Sequence, residues 1–278
     1  MSLLQFTLTV EEGKELISRA ILHHPFFRES YKKGKILLKG GTTVSRIAEK
    51  VTGKPLRICG RITPRGTVSG GEDCRAAHSI LIKGKRLQNI DASIIEVSQQ
   101  LGPEDLVICG ANAIDGKGRA ALMAGSPGGG NVGQAINSWF VEGTRVIIAV
   151  GLEKLIPGDL VEIVNRTGRK KADISWGMSV GLLLLPGEVF NEIKAVELLS
   201  GVSCYALGAG GLGNANGSIV LEATGSTDRI NSLVQLLKEI KGEVKISGVA
   251  ASLVECFVGS QRCKLHRGCG YKKGVLTE

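Results

Sequence analysis

Apolar residues in the first 177 positions alternate between short continuous runs and the spacing of one helical face. Five runs predict buried strands, at residues 35–39, 56–60, 79–82, 105–109 and 145–150. The segments between them follow helical spacing, as Val44, Ile47, Ala48 and Val51 do at i, i+3, i+4 and i+7. Strands that alternate with amphipathic helices favour a mainly parallel sheet with helices on both faces.

The order of predicted elements changes after residue 178. Strands are predicted at residues 180–185, 202–207, 218–222 and 244–247, and helices at residues 188–199 and 227–241. This β-α-β-β-α-β order is typical of a ferredoxin-like fold.

The sequence therefore predicts an α/β protein in three parts. Residues 1–177 are expected to form a Rossmann-like domain with a mainly parallel sheet. A second, smaller ferredoxin-like α+β domain is expected over residues 178–250, followed by a basic, cysteine-containing tail over residues 251–278.

Composition and charge narrow the class of ligand. The chain has 278 residues, of which 43% are hydrophobic, 22% charged and 4% aromatic, and 39 are glycine. Its formal net charge of +9 attracts anions, so both nucleic acid and a phosphorylated metabolite are candidates. Scarce aromatic residues argue against a stacking platform for single-stranded nucleic acid, which favours a small anionic metabolite.

The chain shows no pattern of membrane insertion or secretion. No apolar run approaches the roughly 20 residues of a membrane-spanning helix, and the N-terminus lacks the features of a signal peptide. Seven cysteines in so long a chain without a secretion signal do not suggest a disulfide framework. We expect a cytoplasmic protein without a membrane partner; a homo-oligomer is left open.

The first candidate binding loop joins a predicted strand to a predicted helix. It comprises Lys39, Gly40, Gly41, Thr42 and Thr43. Glycines followed by hydroxyl residues at a helix start let backbone N–H groups and the helix dipole face an anion, with added attraction from the lysine. The structural alternative is a tight turn with an ordinary threonine cap.

The second candidate loop is the glycine-rich run of residues 125–131, which also opens a predicted helix. Within it Gly128, Gly129, Gly130 and Asn131 are the proposed ligand-binding residues. Consecutive glycines lose much backbone entropy on folding, and close approach of the backbone to a ligand would justify that cost. The alternative is a plain connecting loop.

A third segment, residues 110–115, follows the predicted strand 105–109. Gly110 would contact the ligand, while Asn112 and Asp115 could hydrogen-bond it or act on a proton. Lys117 could neutralise a developing charge. The alternative for Asp115 is an Asp-Gly turn with a solvated carboxylate.

Other motifs carry weaker signals. Residues 208–213 resemble a dinucleotide-binding fingerprint but lead into a strand, which favours a hairpin. Cys74 and His78 could form a nucleophile–base pair. Arginines in polar loops could clamp an anion, namely Arg61, Arg65 and Arg75. Four soft metal ligands lie in the tail without a tight Cys-x-x-Cys pair: Cys256, Cys263, His266 and Cys269.

These loops together resemble the superfamily of glucosamine-6-phosphate deaminases, ribose-5-phosphate isomerases and CoA transferases. The resemblance covers roughly residues 35–155 and rests on the Gly-Gly-Thr-Thr helix start, the strand followed by residues 110–115, and the second glycine-rich loop. It implies a Rossmann-like sheet and an anionic ligand in the cleft. Cys109 and Asn112 stand where a ribose-5-phosphate isomerase has acidic residues, and Ala124 stands in place of its lysine, so isomerase chemistry of that kind is not expected.

Two functions follow from the sequence. One is an enzyme that binds and transforms a sugar phosphate, a nucleotide or a CoA ester. The other is a non-catalytic ligand-sensing or assembly subunit of the same superfamily. The sequence identifies neither the reaction nor a cofactor.

Overall fold

The computed structural model describes residues 1–70 and 76–243. The strands are β1 (Ser2–Leu8), β2 (Ile36–Lys39), β3 (Gly60–Thr63), β4 (Gly66–Ser69), β5 (Ser79–Lys83), β6 (Arg86–Asn89), β7 (Leu106–Cys109), β8 (Ala113–Ile114), β9 (Ala120–Ala124), β10 (Arg145–Ala149), β11 (Gly181–Leu184), β12 (Glu188–Phe190), β13 (Ser203–Gly210) and β14 (Ser218–Gly225). The helices are α1 (Val10–His23), α2 (Pro25–Lys33), α3 (Thr42–Thr52), α4 (Ile94–Gln99), α5 (Gly130–Val141), α6 (Leu160–Arg166), α7 (Glu192–Ser200) and α8 (Thr227–Glu243).

Several predicted features lie outside the described residues. They are the strand 244–247, the tail 251–278 with its four candidate metal ligands (Cys256, Cys263, His266 and Cys269), and the loop residues Cys74 and Arg75.

A six-stranded mixed sheet forms the centre of the fold, in the order β12-β10-β7-β2-β5-β6. The first four of these strands are parallel to one another, and β5 and β6 extend the sheet as antiparallel neighbours. The α/β class is therefore confirmed, and the predicted strands near residues 35–39, 79–82, 105–109 and 145–150 are β2, β5, β7 and β10.

The strand predicted at residues 56–60 is wrong. In the structure β2 pairs with β7 on one side and with β5 on the other, so no place beside β2 remains for this segment. Leu56 and Ile58 are nevertheless buried, which explains their apolar character.

Alternating residues of the central strands pack into two hydrophobic clusters. In β2, Ile36 and Leu38 join the cluster formed with α1, α3, α7 and α8, whereas Leu37 joins the cluster that contains Ile94 of α4 and Trp139 of α5. Successive side chains of a strand point to opposite faces, so a strand buried on both sides reads as a continuous apolar run. This arrangement places helices on both faces of the sheet, as the pattern predicted.

The described strands after residue 178, β11 to β14, do not form one sheet. β11 pairs with β9, β12 joins β10 in the central sheet, and β14 lies between β13 and β1 in a separate three-stranded antiparallel sheet. A ferredoxin-like domain would combine its strands in a single sheet, so the described pairing differs from that expectation. The packing does not follow the predicted boundary at residue 177 either, because Leu8 and Leu38 share a hydrophobic cluster with Leu221 and Leu237.

Local capping signals were partly predictive. Thr9 and Glu12 form a capping box at the start of α1, which the Thr-x-x-Glu pattern of residues 9–12 predicts. The helix predicted at residues 188–199 begins only at Glu192, because Glu188–Phe190 pairs with β10.

Residues 208–213 lie at the end of β13 and in the turn toward β14, which confirms the hairpin and not a dinucleotide-binding loop. None of the helices in the described ranges is both long enough and apolar enough to cross a membrane.

Candidate functional site

A cavity of about 560 Å³ lies where the parallel strands β2, β7 and β10 end. Ligands of α/β sheets bind at this carboxyl edge, where the chain leaves each strand through a loop. The cavity brings together both glycine-rich loops and the segment after β7. Ten of the predicted ligand-site residues line it: Lys39, Gly40, Gly41, Thr42, Thr43, Gly110, Asn112, Gly129, Gly130 and Asn131.

The first loop packs its backbone closely against two neighbouring segments at the cavity wall. The amide of Gly40 donates to the carbonyl oxygen of His78 at 2.6 Å, and a Cβ atom at Gly40 would lie 2.5 Å from the carbonyl oxygen of Arg57. Only glycine therefore fits at this position. α3 then begins at Thr42 with Gly41 as its N-cap, and no side chain caps it, so the alternative of an ordinary threonine cap is wrong.

The start of α3 has hydrogen-bond donors without acceptors in the described structure. The first amides of a helix lack partners within the helix, and here no capping side chain replaces them. In addition, the Thr43 hydroxyl is buried without a hydrogen-bond partner among the described residues, and Thr43 is only 2% exposed. An anion at this helix start could accept hydrogen bonds from both kinds of donor.

The second loop depends on glycine for its conformation. Gly128, Gly129 and Gly130 have φ values of 60°, 80° and 65°, in a region that side-chain-bearing residues rarely adopt. Gly129 is the N-cap of α5, which also has no side-chain cap, and a Cβ atom there would lie 2.6 Å from the Leu183 side chain. Gly128 shapes the turn but does not itself line the cavity.

Asn112 lines the cavity, and its side-chain oxygen is already engaged. Its Oδ1 accepts a hydrogen bond from the amide of Met123 at 3.0 Å, and its own backbone amide donates to the carbonyl oxygen of Ala121. These contacts attach Asn112 to β9. Because Oδ1 is the atom that accepts from Met123, Nδ2 remains available as a donor.

The structure separates Asp115 and Lys117 from the cavity, contrary to the predicted grouping. Asp115 is 4% exposed and accepts hydrogen bonds from Arg119 Nε at 2.8 Å and from the amide of Leu160 at 3.1 Å. Burial alone would raise its pKa, but the bonds from Arg119 and from backbone amides lower the pKa to about 2. Lys117 is exposed and pairs with Asp159. Asp115 thus fastens the β8–β9 turn to the start of α6.

Two lysines line the cavity without a counter-ion. Lys39 at the end of β2 is 9% exposed, and Lys154 ends the short 3-10 helix Leu152–Lys154 that follows β10. Within the described ranges, neither ammonium group makes an ion pair or a hydrogen bond. Burial and the charges of Lys14 and Lys39 lower the pKa of Lys154, against the opposing effect of Glu153 and Glu192. Sequence reasoning missed Lys154, although it follows a strand that the sequence predicted.

His78 contributes a buried imidazole to the same wall. Its Nδ1 lies 2.9 Å from the carbonyl oxygen of Arg57, and Nε2 is buried without a partner in the described structure. Burial, reinforced by Lys39, lowers its pKa to about 3, so the ring is neutral at physiological pH. The predicted pairing with Cys74 concerns a residue outside the described part.

Among the described residues, Asp91 is the only carboxylate that lines the cavity. It accepts hydrogen bonds from the backbone amides of His78 and Ser79 and pairs with Arg57 at 3.1 Å. Its contacts position the start of β5 and orient Arg57. Of the predicted arginine clamps, Arg61 lines the cavity, whereas Arg65 does not.

The described residues contain no group of three or more His, Cys, Asp and Glu side chains that could hold a metal ion. Comparison with protein-family models, curated proteins and solved structures gave no match to this chain.

Proposed function

We propose that this protein binds a small phosphorylated or otherwise anionic metabolite in the cavity at the ends of β2, β7 and β10. One observation carries the proposal: two glycine-rich helix starts and Lys39, which has no counter-ion in the described structure, line the same cavity. Unpaired charges and unsatisfied donors are costly in a partly buried site unless a ligand satisfies them. A phosphate group would offset both costs.

The contacts suggest a division of roles. The start of α3, with Lys39 and Thr43, holds the anionic group, and the start of α5 with Asn131 closes over it from the other side. Asn112 Nδ2 donates a hydrogen bond to the remainder of the ligand, while the neutral His78 Nε2 accepts one from a hydroxyl or amine group.

The resemblance to glucosamine-6-phosphate deaminases, ribose-5-phosphate isomerases and CoA transferases supports an anionic ligand of this kind, such as a sugar phosphate, a nucleotide or a CoA ester. The run of parallel strands β2, β7, β10 and β12 supports a Rossmann-like description of the first part of the chain. A ferredoxin-like second domain has no comparable support from the strand pairing.

A non-catalytic sensor or assembly subunit is the second candidate. It is favoured by the lack, among the described cavity residues, of a carboxylate placed to move a proton, since Asp91 is occupied by backbone amides. Tight binding without any turnover of the ligand in an NMR time course would support this candidate over an enzyme.

Titration calorimetry at low ionic strength tests the proposal with inorganic phosphate, glucose 6-phosphate, AMP and coenzyme A. Wild-type protein should bind at least one of them, and Lys39→Met should weaken that binding by roughly tenfold or more, because a charge-assisted contact is lost. Lys117→Met is the matched control, since Lys117 lies outside the cavity and should leave affinity unchanged. Failure of all four anions to bind wild-type protein, or tighter binding of a DNA duplex, would contradict the proposal.

A further inference from the structure

Lys154 lies in a setting that differs from that of the other cations near the cavity. Lys14 pairs with Glu11 at 2.6 Å, and Arg57 pairs with Asp91, so each of these cations has a carboxylate partner. Lys154 has cationic neighbours, Lys14 and Lys39, but makes no ion pair in the described part of the chain. A lysine that is desolvated beside other cations loses its proton more readily and becomes a nucleophilic amine.

The carboxyl groups of Glu153 and Glu192, which act on Lys154, do not offer it a full compensating charge. Glu192 is 2% exposed and accepts a hydrogen bond from the amide of Leu152 at 2.9 Å, close to Glu153. Burial and the charge of Glu153 raise the pKa of Glu192 to about 7, so near neutral pH this group is protonated in a large fraction of molecules. Near neutral pH Glu153 and Glu192 together therefore carry less negative charge than two ionised carboxylates would.

The backbone holds Lys154 firmly at the carboxyl edge of the sheet. Its amide donates to the carbonyl oxygen of Gly151 at 3.2 Å, and the amide of Leu155 donates to Leu152 at 3.0 Å, which closes the 3-10 turn. The amide of Ile156 then bonds to the carbonyl oxygen of Ile114 at 2.9 Å. This turn follows β10 and is hydrogen-bonded to β8. The backbone of Lys154 is therefore fixed beside the cavity that the residue lines.

From this geometry we infer that Lys154 is a covalent catalyst, which forms an imine with an aldehyde or ketone group of the ligand held by the two glycine-rich loops. The inference rests on the proposed anion site and adds a carbonyl group to the chemistry of its ligand. Lys39 belongs to the first anion-binding loop and serves the anion, whereas Lys154 follows a different strand, β10, and lines the same cavity.

The reaction balances without an oxidant or a second substrate. The lone pair of Lys154 Nζ attacks the carbonyl carbon, a C–N bond forms, and the carbonyl oxygen takes a proton to give a carbinolamine. Over the whole reaction the Lys154 nitrogen loses two protons and the former carbonyl oxygen gains two, one in this step and one as water forms. The C–O bond then breaks, water leaves, and the nitrogen lone pair forms the C=N bond.

Reductive trapping tests this role. Pyridoxal 5′-phosphate, an aldehyde that carries a phosphate group, is mixed with the full-length protein, reduced with borohydride, and its attachment sites are mapped by mass spectrometry. We expect the earliest and dominant label at Lys154, protection by excess inorganic phosphate, and loss of this label in Lys154→Arg. Lys85→Arg is the matched control, because Lys85 is exposed in the turn between β5 and β6.

The outcomes separate this inference from the proposed function. Equal labelling of exposed lysines, or labelling of Lys39 with Lys154 unmodified, would overturn the imine. Retained phosphate binding by Lys154→Arg shows that the variant is folded and that the anion site survives. Labelling of Lys154 without phosphate binding, and without protection by phosphate, would instead contradict the anion site. It would still support a reactive amine at Lys154. Because mapping is done on wild-type protein, the result does not depend on the folding of any variant.

The pH dependence of trapping is a further readout. Lys14 of α1, Lys39 of β2, Glu153 of the same 3-10 turn and Glu192 of α7 are the charged groups around Lys154. Labelling of Lys154 should persist at lower pH than labelling of Lys85. Coincident pH profiles for the two lysines would contradict an activated amine.

Discussion

The imidazole of His78 is linked to the carbonyl oxygen of Arg57 by a 2.9 Å hydrogen bond from Nδ1. A carbonyl oxygen can only accept, so Nδ1 carries the proton and Nε2 carries a lone pair. Nε2 is buried at the cavity wall without a partner in the described structure. The ring is thus poised to accept a hydrogen bond and cannot attract the anion by charge.

The low pKa of His78 predicts how stability depends on pH. Its pKa is about 3 in the folded protein against about 6.5 when unfolded, so below pH 6.5 the unfolded chain binds a proton that the folded protein does not. This contribution to stability is complete above pH 6.5 and is lost as the pH falls toward 3, by up to about 1.4 kcal/mol per pH unit.

Urea unfolding at pH 7 and pH 5 measures this dependence. His78→Gln should reduce the loss of unfolding free energy between the two pH values, because glutamine does not titrate. His23→Gln replaces an exposed histidine and should preserve the wild-type difference. Identical pH dependence in wild type and His78→Gln would show that His78 is not held neutral by burial.

Thr43→Val tests the anion site without removing a charge. The Thr43 hydroxyl has no partner in the described structure, so its loss should change the unfolding free energy of the free protein by less than about 1 kcal/mol. Binding of an anion that uses this hydroxyl should weaken by roughly tenfold, since hydrogen bonds to charged groups contribute about 1.5–3 kcal/mol.

Thr144→Val is a closely matched control. Thr144 is 7% exposed, and its hydroxyl also lacks a partner within the described residues, but it precedes β10 at the opposite end from the cavity. Calorimetric titration should give wild-type affinity for this variant. Equal weakening by both valine substitutions, or by neither, would argue against direct contact between Thr43 and the anion.

Asp115→Asn should reduce stability and spare ligand binding. The substitution leaves Arg119 without its buried partner and weakens the bonds from the amides of Lys117 and Leu160, at a cost of about 3 kcal/mol. Lys117→Met breaks only an exposed pair with Asp159 and should cost less than about 1 kcal/mol. Denaturant unfolding compares the two. An unchanged free energy of unfolding with lost ligand binding would instead support the ligand contact predicted for Asp115.

Much of the central sheet and its glycine-rich loops could be predicted from local pattern. Continuous apolar runs identified β2, β5, β7 and β10, because strands buried on both faces have no polar side. Adjacent glycines before helical spacing identified both loops, because positive φ values and close backbone approach exclude other residues at Gly129 and Gly40.

The same local reasoning failed wherever partners lie far apart in the chain. Residues 56–60 look like a strand, yet β5 occupies the place beside β2. Asp115 looks like a catalytic carboxylate, yet the amide of Leu160 and the guanidinium of Arg119 enclose it. Neither the strand pairing of β2 nor the contacts of Asp115 can be predicted from residues close by in the sequence.

The amino-acid sequence by itself determined the α/β class and the two loops, since periodicity and glycine conformation act over a few residues. Tertiary structure alone decided that both loops meet in one cavity and that Lys154 and His78 join them there. It also decided that β1 pairs with β14 across more than 200 residues of chain. Burial, hydrogen-bond partners and pKa values depend on which distant segments come together, and no local pattern specifies that.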